Sequence, residues 1–263
     1  MYRDRMTVAE RINGERVVVL GWGRAILLQV AHPLVAAGVA DHSNFAAGPL
    51  ARLGRLHATI GAMRRLTFRG ERAALDTAAR INAIHDRVNG TLRDGGGPYA
   101  PGTAYTATDP ELLLWVHATL LDSMPRAYEQ FVAPLSPAAR DDYVRESMAA
   151  GRLFRIPERM LPSNREALDR YLQEMLASGP IHVTATARRI ARALLYPPLL
   201  DPTRPLAWLV RLVTLGLLPT DIRSAYGFRW TPGHDRVLRA FSALCRGVRP
   251  LLPAVLTRWP ETR

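Results

Sequence analysis

The stretch Gly21–Phe45, GWGRAILLQVAHPLVAAGVADHSNF, most constrains what this chain can fold into. Ile26, Leu27, Val30, Ala31 and Leu34 recur at helical spacing, so its first half reads as a helix buried nearly all round. Pro33 removes a backbone donor and predicts a bend or a local end there. Gln29, His32, Asp41, His42, Ser43 and Asn44 set polar groups where core residues belong. Each needs a partner, because an unpaired buried polar group costs about 1–3 kcal/mol. Bonds among themselves, or to carbonyls freed by Pro33, are the plain reading; a functional site is the other.

The remaining chain carries helix punctuation throughout. Thr7, with Glu10 three residues on, matches a capping box opening an element over 7–19. A second helix spans 50–68, dense in arginine (Arg52, Arg55, Arg64, Arg65), with Gly70 placed to end it. Residues 71–88 form an amphipathic helix whose apolar face holds Ala74, Ala78, Ile81, Ile84, His85 and Val88. Residues 91–106 are a Gly/Pro-rich loop of the kind that lines a site, after a turn at 45–49. Asp109-Pro110-Glu111 starts a helix through Leu121, with Leu112, Leu113, Val116, His117 and Leu120 on one face. Further helices are predicted over 138–151, 164–177, 181–195, 206–217, 235–246 and 251–257. Period-2 alternation, fixed-period repeats and linkers are all lacking, so a single all-α domain over 1–263 is expected.

All 35 basic side chains are arginine, against 23 acids, for a net charge of +12. They are spread along the chain rather than gathered, so no nucleic-acid function is expected. The most apolar run, Pro205–Pro219, is shorter than the ~18 residues a spanning helix needs and carries Arg211 at its middle. A core helix is the expectation there, with attachment to a membrane surface as the other possibility. Cys245 is the only cysteine, which excludes an internal disulfide and a thiolate metal cluster. With a charged N-terminal stretch lacking a signal-peptide pattern, a reducing, cytoplasmic location is expected.

The familiar enzyme motifs GxSxG, P-loop, GxGxxG and HExxH are missing. Three of the seven histidines, His32, His85 and His117, nevertheless fall on apolar faces of different predicted helices. A haem would account for this, since it needs an apolar cleft, one axial histidine and cations for its propionates. His85 suits the axial role, on an otherwise Ala/Ile surface. Arg52 and Arg55, at i and i+3, suit a propionate clamp or a distal polar group, with a solvated face as the alternative. Residue types and spacing alone lead to an all-α protein with a histidine-bearing apolar interior.

Five segments, taken in order, resemble one family. They are GRAILLQVAHPLVAAGVADHSNF (Gly23–Phe45), ARLGRL (Ala51–Leu56), INAIHDRVNG (Ile81–Gly90), YTATDPELLLWVHATLLDS (Tyr105–Ser123), and YGFRW with LRAFSALCRGVRPLLPA (within Tyr226–Ala254). Together they are similar to the haem oxygenases that include the catalytic domain of latex-clearing rubber oxygenases and the MpaB-type oxygenases. The resemblance implies a b-type haem in a helical, partly globin-like fold and oxygen-dependent oxidation of an apolar substrate, with an electron donor as a possible partner. In the IHxRVxG pattern His85 resembles the proximal haem ligand, and Arg52 resembles an arginine near the distal side. Rubber oxygenases follow that arginine with Lys and Thr, where this chain has Arg55 and Leu56. A guanidinium stays protonated and cannot ligate iron as a neutral amine can. The family's glutamate base has no match either, so cleavage of polyisoprene is not expected. The expectation is a haem b-dependent oxygenase for a small apolar substrate: His85 on iron, Arg52 and Arg55 at the propionates or bound O2, and His32, His42 and His117 shaping the pocket. A non-catalytic haem- or lipid-binding helical module is the alternative.

Overall fold

Side-chain caps written into the sequence set where the helices begin. The structure, a computed structural model, describes residues 6–42, 49–196 and 204–262, with side chains except those of 49–53, 55, 56 and 204–206. Among these residues it holds thirteen α-helices and one two-stranded ladder. The Thr7 hydroxyl accepts from the Glu10 amide at 3.1 Å, and the Glu10 carboxylate accepts from the Thr7 amide at 2.9 Å, opening α1 (Val8–Asn13). That helix stops well short of residue 19, and Arg16–Gly21 continues as a 3₁₀ segment.

Pro33 divides the apolar stretch into α2 (Trp22–Val30) and α3 (Pro33–His42). The segment Arg16–Val30 meets α3 at 108°. The His32 carbonyl, just before the proline, accepts from the Ala36 amide at 2.9 Å and starts α3. Ser43, Asn44 and the expected turn at 45–49 fall, but for Pro49, outside the described residues.

Helix α4 (Pro49–Phe68) leads into α5 (Gly70–His85) through Gly70, whose φ of +79° is open to glycine at little cost. Helix α5 ends at His85, three residues before the expected Val88, so His85 closes the helix. The chain is drawn off there because Asn89–Thr91 (β1) pairs antiparallel with Ala104–Thr106 (β2), Gly90 opposite Tyr105. The Gly/Pro-rich stretch is therefore a hairpin. Three-residue strands are too short to display a period of two.

Helix α6 (Pro110–Phe131) opens as expected, the Asp109 carboxylate accepting from the Glu111 amide at 2.8 Å. It then runs ten residues past Leu121 and takes Pro125 inside it. Packing on several sides outweighs the lost backbone bond, because most residues between Leu112 and Phe131 are buried. The rest follows as α7 (Pro137–Leu153), α8 (Arg165–Ala177), α9 (Ala185–Leu195), α10 (Arg204–Leu217), α11 (Thr220–Ala225), α12 (Pro232–Val248) and α13 (Ala254–Thr257). Only α11 had no counterpart in the sequence reading.

The main core gathers Leu27, Trp115, Leu168, Ile190 and Leu215, from α2, α6, α8, α9 and α10. Trp115 donates from Nε1 to the Leu28 carbonyl at 3.1 Å. Leu212, Val213 and Leu215 are buried, so α10 is a core helix, as its apolar run implied. Among the described residues no single helix is long and apolar enough to cross a membrane.

A buried ionic cluster runs through this core. Arg24 of α2 pairs with Asp122 of α6 at 2.6 Å, donates to the Ser123 hydroxyl at 2.7 Å and reaches the Leu217 carbonyl at 2.8 Å. Arg165 of α8 meets the other Asp122 oxygen, also at 2.6 Å. Burial pushes the Asp122 carboxyl up, but Arg24, Arg126 and Arg165 outweigh it and hold it down to about 2. This cluster escaped the sequence reading, since no local pattern couples positions 24, 122 and 165.

Candidate functional site

A cavity of about 340 Å³ opens between α2, α3, the end of α5, β2 and α6. Helix α3 supplies Leu34, Val35 and Val39, α5 and the turn after it Ile84 and Val88, and α6 Leu112, Leu113 and Val116. These walls are apolar because each helix turns its hydrophobic stripe inward at i, i+3, i+4 spacing. Its polar groups are few: Gln29, His42, His85, Tyr105 and Thr106. An apolar pocket with a few convergent polar groups is the usual form of a small-molecule or cofactor site.

His85 sits on this wall at the C-terminal end of α5, half-buried. Its Nδ1 is enclosed and has no hydrogen-bond partner among the described residues. Burial lowers the imidazole pKa against the pull of the neighbouring Asp86 carboxylate, with Arg155 adding to the fall. Arg155 also pairs with Asp86 at 2.6 Å, which takes that carboxylate away from the ring. The neutral imidazole is thereby favoured, its Nδ1 packed against protein atoms without a polar partner among the described residues.

Gln29 is fixed by its own amide. Its Nε2 donates to the Val116 carbonyl at 3.3 Å and to the Thr119 hydroxyl at 3.2 Å, leaving Oε1 without a partner among the described residues. His42 closes α3 and donates from Nε2 to the Asn89 carbonyl at 2.9 Å, which leaves Nδ1 as an acceptor. Its ring meets Tyr105 edge-on, centroids 6.4 Å apart. The Tyr105 hydroxyl donates to Asp41 at 2.8 Å, and burial together with that carboxylate pushes the phenol up to about 12. The end of α3 is thus pinned to the hairpin and forms one rim of the cavity.

The other expected site residues are distributed differently. His32 is buried at the α2–α3 bend, away from the cavity lining. Its Nδ1 accepts from the Leu34 amide at 3.3 Å, which puts the ring proton on Nε2, 3.1 Å from the Tyr99 hydroxyl. Burial draws its pKa down to about 4, with Asp109 opposing. His32 therefore clasps the hairpin to the bend. His117 is buried on α6 and follows Val116, but one further residue turns it about 100° round the helix, toward α7 rather than the cavity. A Cβ added at Gly151 of α7 would lie 3.2 Å from its Nε2, which has no partner among the described residues. Burial alone brings its pKa down to about 4. Arg52 and Arg55 lie in the N-terminal half of α4, and their side chains are outside the described ones.

The cavity thus gathers His85 and His42 of the expected set. Tyr105 and Thr106 join them; their signals were the Gly/Pro-rich loop they terminate and the segment Tyr105–Ser123 that they open. Among the described residues no group of three or more His, Cys, Asp or Glu side chains is arranged to hold a metal ion.

The sequence model described as "ER-bound oxygenase mpaB/B'/Rubber oxygenase, catalytic domain" matches residues 10–249. Uncharacterized proteins of Mycobacterium bovis and Mycobacterium tuberculosis are each 26% identical over 234 residues, covering 87% of this chain and 87% of their own. No solved structure matches the chain.

Proposed function

The chain belongs to the MpaB/rubber oxygenase catalytic-domain family, and on that premise we propose that it is a haem b-dependent oxygenase acting on a small apolar molecule. The observation that carries the haem reading is His85: an imidazole on an apolar cavity wall, its pKa lowered by burial, so that the neutral ring a metal needs is favoured there. An axial ligand must be neutral, oriented and free of competing hydrogen bonds. A bound haem would supply the activation of dioxygen that the side chains lack.

The chain's own residues bind and orient. His85 holds the iron. Arg52 and Arg55 of α4 would pair with the carboxylates of the group or polarise the O2, and an arginine at 55 offers no amine to compete for the metal. Leu34, Val35, Val39 and Val116 exclude water and receive the apolar substrate. Gln29 Oε1 and His42 Nδ1 are the acceptors that orient any donor on it.

The test is the absorption spectrum of protein purified from cells supplied with a haem precursor. The expected result is about one extractable haem per chain, with a Soret band that shifts on dithionite reduction. A colourless protein that also refuses added hemin overturns the proposal. Oxygen consumption with small apolar substrates then tests the oxygenase half.

A further inference from the structure

Half of the exposed large apolar side chains among the described residues fall in one short stretch of chain. Leu251 is 81% exposed, Leu244 61% and Leu256 58%, with Val237, Leu252 and Val248 between 37% and 43%. All six fall within residues 237–256, on α12, the 3₁₀ turn Arg249–Leu251 that follows, and α13. Val237, Leu244 and Val248 are spaced i, i+7, i+11, one stripe of α12, about 100° round from the stripe of Leu238 and Ser242 that faces the interior. Leu244, Val248, Leu252 and Leu256 also line a groove of about 360 Å³, together with Val17, Phe131 and Cys245. Singly exposed leucines need no explanation, whereas a contiguous patch marks an interaction surface.

Charge selects the partner. Residues 232–258 hold five arginines, Arg236, Arg239, Arg246, Arg249 and Arg258, against one acid, Asp235. Arg249 and Arg258 bind the buried Glu15, and Arg246 donates to the Gln130 carbonyl at 2.7 Å, which fixes the segment to the body of the protein. Arg236 and Arg239 extend into solvent from α12. Two copies meeting through this face would set arginine against arginine, a repulsive arrangement. An apolar stripe flanked by Arg236, about 100° round the helix, on a chain of net charge +12 matches an anionic lipid surface, where leucines enter the acyl boundary and guanidinium groups meet phosphates. We propose that residues 237–256 form a docking surface by which the folded protein lies on an anionic phospholipid bilayer without crossing it.

The proposal is independent of the haem reading and is tested on the full chain by flotation with vesicles. Phosphatidylcholine vesicles are compared with vesicles in which phosphatidylglycerol replaces part of the lipid. The expected result is co-flotation with the anionic vesicles, little with the neutral ones, and release as salt rises. Leu251→Ser with Leu256→Ser should lower partition about tenfold or more, and Arg236→Glu with Arg239→Glu should do likewise. All four positions are exposed, so the variants should keep the wild-type circular dichroism and unfolding midpoint. Absence of vesicle binding, equal binding to neutral and anionic vesicles, or a dimer in sedimentation that the leucine variant dissolves would each overturn it.

Discussion

Arg24 and Asp122 meet at 2.6 Å in the interior, their side chains 4% and 2% exposed. Neither charge is tolerable there alone. The pair stands because Ser123, the Leu217 carbonyl and Arg165 take up the remaining donors and lone pairs. Asp122→Asn should therefore destabilise the protein by about 3–5 kcal/mol, since the buried Arg24 loses its counter-charge and Arg165 keeps only Asp169. Urea unfolding checks this. Arg24→Met combined with Asp122→Asn should cost less than the sum of the two single changes, because the groups share one network.

His85→Ala should abolish stable haem binding while the apoprotein stays helical, losing about 1–3 kcal/mol of stability. His117→Ala, on the same side of the fold but turned toward Gly151, should cost similar stability and keep the Soret band. The measurement is haem occupancy against far-UV circular dichroism for both variants. Full occupancy in the first with loss in the second would move the axial ligand to α6.

Acid should weaken the fold in two stages. His32 and His117 have pKa values drawn from 6.5 down to about 4, so below pH 6.5 the unfolded chain takes up protons that the folded one refuses. Stability is then complete above pH 6.5 and falls as pH drops toward 4, by on the order of 3 kcal/mol for each histidine. Asp122, lowered from 3.8 to about 2, adds a second loss between those values. Chemical unfolding across pH 7 to about 4.5 reads the first stage. His85, also lowered by burial, adds to this loss, so His117→Leu should reduce the slope without abolishing it, and an unchanged slope would mean that His117 is already protonated in the fold.

Tyr99→Phe should leave the His32 Nε2 proton without an acceptor at 2% exposure, costing about 1–3 kcal/mol. The loss should be local, since this bond ties the hairpin to the α2–α3 bend. Amide exchange over residues 91–106 should quicken, while α6 and α8 keep their protection. Uniform loss of protection would show that the clasp belongs to the global core instead.

What the sequence determined by itself was what local chemistry controls. Thr7, Asp109 and Asn164 mark helix starts because a cap needs only a side chain and amides two or three residues away. Pro33 breaks the apolar stretch because the missing N–H is a property of one residue. The all-helical class followed from apolar periodicity, and His85 stood out as a histidine within such a stripe. Tertiary structure decided the rest. Helix α6 runs through Pro125 to Phe131 because burial from surrounding helices overrides a local breaker. The end of α5 at His85 depends on strand pairing with residues 104–106. Whether a histidine serves a cavity, a clasp or a helix interface depends on the neighbour it meets: apolar walls for His85, Tyr99 for His32, Gly151 for His117. Tyr99 lies 67 residues from His32 and Gly151 lies 34 from His117, while the walls around His85 come from several helices at once, and no spacing rule along one chain encodes them.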